Sequence, residues 1–251
     1  MAKQRYFLEL AYDGTKYHGW QIQLKDISVQ ETISKAVSKI LSEEITVIGC
    51  GRTDTGVHAS RYFAHFSSIK EINENFLYNI NCVLPKDISI INVYDFGPEA
   101  HARYDATKRT YAYYFHFNKN PFLERYSTYY PFYTLNFKVL QKAAKELKRY
   151  DQFKPLCRYS TKYKSTNCRI FESRWEQIDE NRIRYVVAAN RFLRSMVRRM
   201  VGVSVLLATS RMDFKTFNEI MDRQGEFRHK LSMPPQGLFL EDVEYPYLKS
   251  Q

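Results

Sequence analysis

The 251 residues are 44% hydrophobic and 16% aromatic, with 20 Tyr, a globular composition long enough to bury one large core or two similar halves. No run of about 18 apolar residues occurs, which excludes a membrane-spanning helix, and the opening MAKQRYFLEL lacks an apolar signal core. Net charge is +11, and the four cysteines (Cys50, Cys82, Cys157, Cys168) show no C-x-x-C pair. That spacing argues against a zinc site or a disulfide framework and fits a reducing cytoplasm.

Taken in chain order, Arg5–Tyr12 alternates, with Tyr6, Leu8, Leu10 and Tyr12 on one face, and predicts a strand ending at the turn pair Asp13-Gly14. Ser28-Val-Gln-Glu31 is a capping-box pattern opening a helix with an apolar face of Val29, Ile33, Val37, Ile40 and Leu41. Ile45–Cys50 predicts a strand stopping at Gly51, and Arg61–Ser67 another. Asn73–Val83 predicts a helix closed by Leu84-Pro85, and Ile88–Tyr94 a strand. The order is β-α-β-β-α-β.

A similar order follows. Arg109–Phe117 reads as a strand and Phe137–Arg149 as a helix. Cys168–Gln177 and Arg182–Ala189 read as paired strands turning near Asp179-Glu-Asn181. Phe192–Thr209 reads as a long helix, Phe214–Asp222 as an extra one and Leu238–Tyr245 as a last strand. No sequence repeat accompanies this repeat of element order. The expectation is an α+β protein of two ferredoxin-like halves, 1–108 and 109–251, joined through Asp95–Lys108, with a ligand cleft between them.

The positive charge is uneven. Lys138–Arg174 holds eleven Lys/Arg against three acids, and Arg182–Arg211 holds seven Arg and no acid. Such a surface attracts a polyanion. Arginine without lysine in the second stretch favours bidentate phosphate or carboxylate contacts. A solubilising surface or an acidic protein partner fits the same counts.

Asp54 is the candidate reactive group. It follows a predicted strand, lies between Gly51 and Gly56, and has Arg52 two residues upstream. Flanking glycines permit a tight loop and close approach of a ligand, and a carboxylate beside a guanidinium stays ionised, as a nucleophile must. An Asx-turn, with Asp54 serving only nearby amides, is the competing reading. Asp54-Thr55-Gly56 also matches the aspartic-protease triplet. However, no second such triplet is present, and Arg52 disfavours a shared proton.

Two other clusters carry aromatics or arginines. Tyr12–Gln23 interleaves aromatics with glycines, so Tyr17 and Trp20 either stack on bases or form local core. In Asn190–Gly202, a helix would put Arg194 and Arg198 on one face and Phe192, Met196 and Val203 on another. One reading takes an Arg at the boundary back to Asp54; the other leaves a solvated basic face. His58 reads as a structural hydrogen-bonding residue. The histidines form no metal-ligand pattern and no phosphate-cradling glycine loop is present, so no metal or nucleotide cofactor is expected.

These segments together are recognisable. YDGTKYHGWQIQ (12–23), GRTDTGVHA (51–59), HARYDATKRTYAYYF (101–115), NRFLRSMVRRMVG (190–202) and PPQGLFLEDVEYP (234–246) occur in order, and SVQETI (28–33) sits between the first two. With them the chain resembles the TruA-type tRNA pseudouridine synthases along nearly its whole length. The resemblance implies the pseudouridine synthase fold and makes Asp54 the catalytic aspartate. It makes Arg52 the arginine of nucleotide flipping and RNA contact, Tyr111 the active-site tyrosine against the target base, and Arg198 the partner of the catalytic carboxylate. It further implies isomerisation of uridine at positions 38, 39 and 40 of the tRNA anticodon arm, without cofactor or metal, by a homodimer whose subunits share each tRNA. Two departures stand out. Thr55 occupies a position where Ala is usual, and Tyr150 and Gln152 depart from the family's His-Asp-Phe segment within 150–170.

Overall fold

The first strand forms where alternation places it, β1 (Gln4–Tyr12), but it buries both faces: Phe7 and Glu9 are as enclosed as Leu8 and Leu10. The structure is a computed structural model, describes residues 3–131, 135–158 and 164–248, and is mixed α+β. Residues 159–163 of the divergent 150–170 segment lie outside the described residues. The chain divides into two compact units, Met1–Thr107 with Phe239–Gln251, and Lys108–Leu238.

In the first unit β1 is followed by α1 (Val29–Leu41), β2 (Ile48–Gly49), β3 (His58–Ser68), α2 (Phe76–Val83) and β4 (Ile88–Tyr94). The strands lie in the order β4-β1-β3-β2, antiparallel throughout, with Leu8 opposite both Ala64 and Val93. Ser28 caps α1 by accepting from Glu31 N–H at 3.2 Å, worth about 1 kcal/mol. The Glu31 carboxylate turns instead to Lys35. The strand expected over Ile45–Cys50 shrinks to two residues because α1 claims the rest. Ile45 N–H donates to Ser38 Oγ at 2.9 Å, Val47 N–H to Ser34 Oγ at 3.1 Å, and Val47 O accepts from Gln30 at 2.8 Å.

Two buried polar side chains of this sheet titrate. Burial works against the charge on Glu9, but hydrogen bonds from Tyr94, Arg61 and Asn92 outweigh it and hold the carboxyl below its usual range. His65 on β3 packs against Phe7, and its Nδ1 accepts the Ala102 N–H at 3.1 Å. Burial, with His101 and Arg5 nearby, pushes its pKa down to about 4. An imidazole whose folded pKa lies below its unfolded value of roughly 6.5 costs stability as pH falls through that window. His65→Asn keeps an acceptor without the titration. Urea unfolding of this variant between pH 7 and 4 is expected to show a shallower loss of stability than the wild type; parallel curves would place the acid sensitivity elsewhere.

The second unit opens with β5 (Lys108–His116) and β6 (Thr128–Tyr129), then α3 (Phe137–Leu147), β7 (Ile170–Asp179), β8 (Arg182–Ala189), α4 (Met196–Ala208) and α5 (Phe214–Asp222). Strand order is β6-β5-β8-β7, with β5 and β8 in unbroken antiparallel register from Arg109↔Ala189 to His116↔Arg182. α3 packs on β7 and α4, burying Leu140, Ala143, Ala144 and Leu147. Asp213 caps α5 through Thr216 N–H, so α5 has the bounds its sequence predicts. The helix expected over Phe192–Thr209 instead starts at Met196. Ser195 sits in the left-handed region at φ 59°, and Met196 N–H closes a turn on Leu193 O. Phe192 and Arg194 therefore precede the helix, and Arg194 does not share a helical face with Arg198.

The last strand, β9 (Leu238–Glu244), runs parallel to β3, with Phe239 opposite His58 and Leu240 opposite Ala59. Arg61 bridges Glu9 at 2.6 Å and Asp242 at 2.8 Å, and Tyr245 Oη donates to Ala102 O at 2.5 Å. These bonds explain why 239–251 clusters with the first unit, whereas the sequence reading grouped it with the second half. Among the described residues no helix is long and apolar enough to cross a membrane. The four cysteines are free thiols, with only Cys82 exposed.

Candidate active site

The Asp54 loop connects β2 to β3, and the aromatic–glycine segment 12–23 holds it. Thr53 O accepts from Trp20 N–H at 3.3 Å, and the Thr53 hydroxyl meets Tyr12 Oη at 2.8 Å. Gly56 N–H donates to Tyr17 O at 3.2 Å, and Val57 N–H to Asp54 O at 3.2 Å, closing a turn with Gly56 at φ 76°. Two glycines of the first segment make this approach possible. A Cβ on Gly19, itself at φ 82°, would stand 2.4 Å from Thr53 O, and one on Gly14 would stand 2.0 Å from Val57 O. The backbone on both sides of Asp54 is thus fixed, while Asp54 itself is partly exposed.

Burial decides between the two readings of the aromatics. Trp20 is 2% exposed and stacks on Tyr62 with centroids 4.2 Å apart, and Tyr62 Oη donates to Gly51 O at 2.6 Å. Tyr17 is 5% exposed, and its hydroxyl donates to Asp87 at 2.6 Å. Burial and that carboxylate push its pKa well above the usual phenol range. Neither ring offers a face to a base; both are the floor on which the loop rests. His58 is likewise structural: it is 1% exposed, and its Nδ1 accepts from Gly14 N–H at 3.1 Å. Arg52 is exposed, with Nε donating to Gln21 Oε1 at 3.1 Å.

Tyr111 and Arg198 belong to the second unit. Tyr111 sits on β5, 8% exposed, opposite Val187 on β8, and its ring meets Phe192 edge-on at 5.1 Å. Arg198 lies in the first turn of α4. Its Nε donates to Met233 O at 2.5 Å, and its own carbonyl accepts from Met233 N–H at 3.3 Å. The next residue, Pro234, accepts at 2.8 Å from Tyr113 Oη, two positions along β5 from Tyr111. Burial raises the Tyr113 pKa far above its usual value, so the phenol stays a donor to Pro234, and the Thr128 hydroxyl at 2.6 Å donates to it. One short segment, 233–234, therefore holds both β5 and α4. Gly202 lets the preceding residues lie against α4, since a Cβ there would stand 1.8 Å from Leu231 O. The structure thus places Arg52 and Asp54 on one loop, and it binds Arg198 and Tyr113, the residue two positions from Tyr111, to segment 233–234. Sequence reasoning missed Met233 and Gly202; the glycine closing the arginine-rich motif was the available signal. Among the described residues no group of three or more His, Cys, Asp or Glu is placed to hold a metal ion.

The five motifs coincide with loops and contacts that shape these two sites, and comparison with known proteins defines the class. A family model described as tRNA pseudouridine synthase matches residues 143–246. The molecule is a pseudouridine synthase, an isomerase. It is 41% identical to tRNA pseudouridine synthase A of Bacteroides fragilis over 98% of both chains. It is 40% identical to that of Bacteroides thetaiotaomicron over 97% of this chain and 91% of the relative. A third relative, tRNA pseudouridine synthase A of Thermoanaerobacter pseudethanolicus, is 34% identical over 93% and 96%. The chain belongs to the tRNA pseudouridine synthase A family. A CRISPR endoribonuclease bound to RNA aligns over 82% of the chain, but a TM-score of 0.22 at 11% identity is too low to bear on fold or ligand.

Proposed function

We propose that the protein isomerises uridine to pseudouridine in tRNA, at positions 38, 39 and 40 of the anticodon arm, with Asp54 as the catalytic carboxylate. The observation that carries this reading is the Asp54 loop: a partly exposed carboxylate on a turn whose neighbours are pinned to a buried aromatic floor. Preorganisation of this kind is what a reacting group needs and what a solvated surface loop lacks.

The reaction breaks the N1–C1′ bond, turns the uracil and rejoins it through C5. N1 gains a proton and C5 loses one, so the change is a net isomerisation without redox. The uridine must first leave its stack, at a cost of roughly a few kcal/mol. Arg52, exposed beside the loop, supports the RNA geometry that flipping leaves behind. Asp54 attacks the sugar or base, with C1′, C6 and the 2′-carbon as the positions open to it. Arg198 supplies the positive charge that keeps the carboxylate ionised and oriented. Tyr111 supports the flipped base, and its hydroxyl, or a water it positions, takes the C5 proton.

The reading extends to two ferredoxin-like halves, supported in the first unit by the β4-β1-β3-β2 antiparallel order. It also includes a homodimer in which both subunits hold each tRNA, and a cytoplasmic location. No metal or cofactor enters any step. Unmodified tRNA incubated with the protein and mapped chemically is expected to show pseudouridine at 38, 39 and 40. Modification elsewhere would reassign the target, and none at all would overturn the reading. Tyr111→Phe is expected to lower turnover by roughly 100-fold while leaving tRNA affinity in place; full activity would restrict Tyr111 to stacking.

A further inference from the structure

Several stretches of the second unit bring arginines to one end of its sheet. Arg109 lies at the start of β5, Arg169 immediately precedes β7, and Asn190-Arg191 follows β8. Because β5 and β7 both run antiparallel to β8, their first residues lie where β8 ends, as the pairings Arg109↔Ala189 and Ile170↔Ala189 record. Asn190 ties the three together. Its N–H donates to Arg169 O at 3.2 Å, its Oδ1 accepts from Arg169 N–H at 2.8 Å, and its carbonyl accepts from Arg109 Nη1 at 2.8 Å. A further bond, Arg158 N–H to Arg194 O at 3.0 Å, adds the segment around 158.

Arg158, Arg169, Arg191 and Arg194 are exposed. The stretches that supply the cluster, 106–123, 152–171 and 182–212, contain no Asp or Glu. Like charges assembled on a bonded backbone repel one another, and an anion with several acceptor oxygens relieves that repulsion. The cluster also has an address. Phe192 follows Arg191, and its ring is the one that meets Tyr111. By contrast, the exposed lysines Lys138, Lys142 and Lys145 of α3, with Lys148 at its C-cap, recur every three or four residues along one helix, as an ordinary solvated face does.

We propose that Arg158, Arg169, Arg191 and Arg194, arranged about Asn190, form a phosphate-binding site for the RNA backbone flanking the uridine held at Tyr111. The assignment rests on the reading of Tyr111 given above. It makes the arginines positioning residues: they fix where the anticodon-arm backbone lies and take no part in bond making.

The test uses an unmodified tRNA transcript and measures binding by the full-length protein at several salt concentrations. Arg158→Gln/Arg169→Gln/Arg191→Gln is expected to weaken binding by roughly 30-fold and to reduce the salt slope by about two to three. The same three positions changed to Lys should keep the slope and recover only part of the affinity, because the charge remains while the bidentate fork is lost. Lys138→Gln/Lys145→Gln/Lys148→Gln removes equal charge and should change the slope by less than about one. Equal effects of the Arg and Lys sets would reduce the cluster to general electrostatics and overturn the site. So would an unchanged slope in the Arg→Gln protein, or failure of the Arg→Lys version to recover anything. Pseudouridine formation by the wild type on the same transcript is scored separately. Its absence would count against the catalytic reading, while the salt comparison still decides the arginine site.

Discussion

Asp54→Asn is expected to reduce pseudouridine formation by at least roughly 10,000-fold, the scale seen when the reacting group of an enzyme is removed. The amide has the size of the carboxylate but neither its charge nor its nucleophilicity. The loop should survive the change. Its shape comes from the Thr53 hydroxyl and from backbone groups of Thr53, Asp54 and Gly56, all of which Asn retains. Transfer-RNA affinity is therefore expected to stay within about threefold of wild type, since phosphate contacts dominate affinity and an anionic carboxylate makes none. Single-turnover assays on unmodified tRNA, paired with filter binding, separate the two quantities. Substantial pseudouridine from the variant would remove Asp54 from the chemistry. A parallel collapse of binding would mean that the carboxylate shapes the loop.

The second large effect is structural and reaches Arg198 through the backbone. Gly202→Ala puts a methyl group where Leu231 O stands 1.8 Å from the ideal Cβ position, and neither backbone can yield cheaply. Overpacking of this kind costs about 1–3 kcal/mol, and more where backbone is the obstacle. Melting temperature should fall by roughly 5–10 °C. If residues 231–233 move off α4, the Met233 carbonyl leaves Arg198 Nε, and the guanidinium loses its fixed direction. Turnover is then expected to drop by more than the loss of folded protein explains, which activity measured well below the melting transition would reveal. A Gly202→Ala protein with wild-type melting and turnover would show that this packing is not required.

Much of the fold was legible wherever local chemistry and final environment agree. Ser28 is a cap in sequence and in structure, and β8 and α5 have the predicted bounds. The misreadings share a cause, namely side chains distant in sequence competing for backbone groups. Ser34, Ser38 and Gln30 of α1 take the amides and carbonyls that would have extended β2. Arg169 and Arg158 engage Asn190 and Arg194, while Ser195 turns left-handed, so α4 begins later than its apolar period implies. Periodicity does not register such bonds. For the site, Asp54 was picked out by its glycines and its motif. Spacing did not mark the glycines that hold the loop in place, Gly14 against Val57 and Gly19 against Thr53. Whether Trp20 and Tyr17 stack on bases or build core was not decidable from spacing, because a buried and a ligand-facing aromatic have the same spacing in sequence.

The tryptophans have a consequence of a different kind. The chain holds two, Trp20 and Trp175, one in each compact unit, and both are almost completely enclosed. Each unit therefore carries its own fluorophore. The backbone N–H of Trp20 donates to Thr53 O beside Asp54, and the Trp175 ring packs against Phe115 and Tyr185 beneath α3. Emission from a protein with Trp175→Phe would report on the floor of the Asp54 loop alone, and emission from one with Trp20→Phe on the core of the arginine-bearing unit. Melting or substrate-induced motion of either unit can thus be followed optically, with no label added.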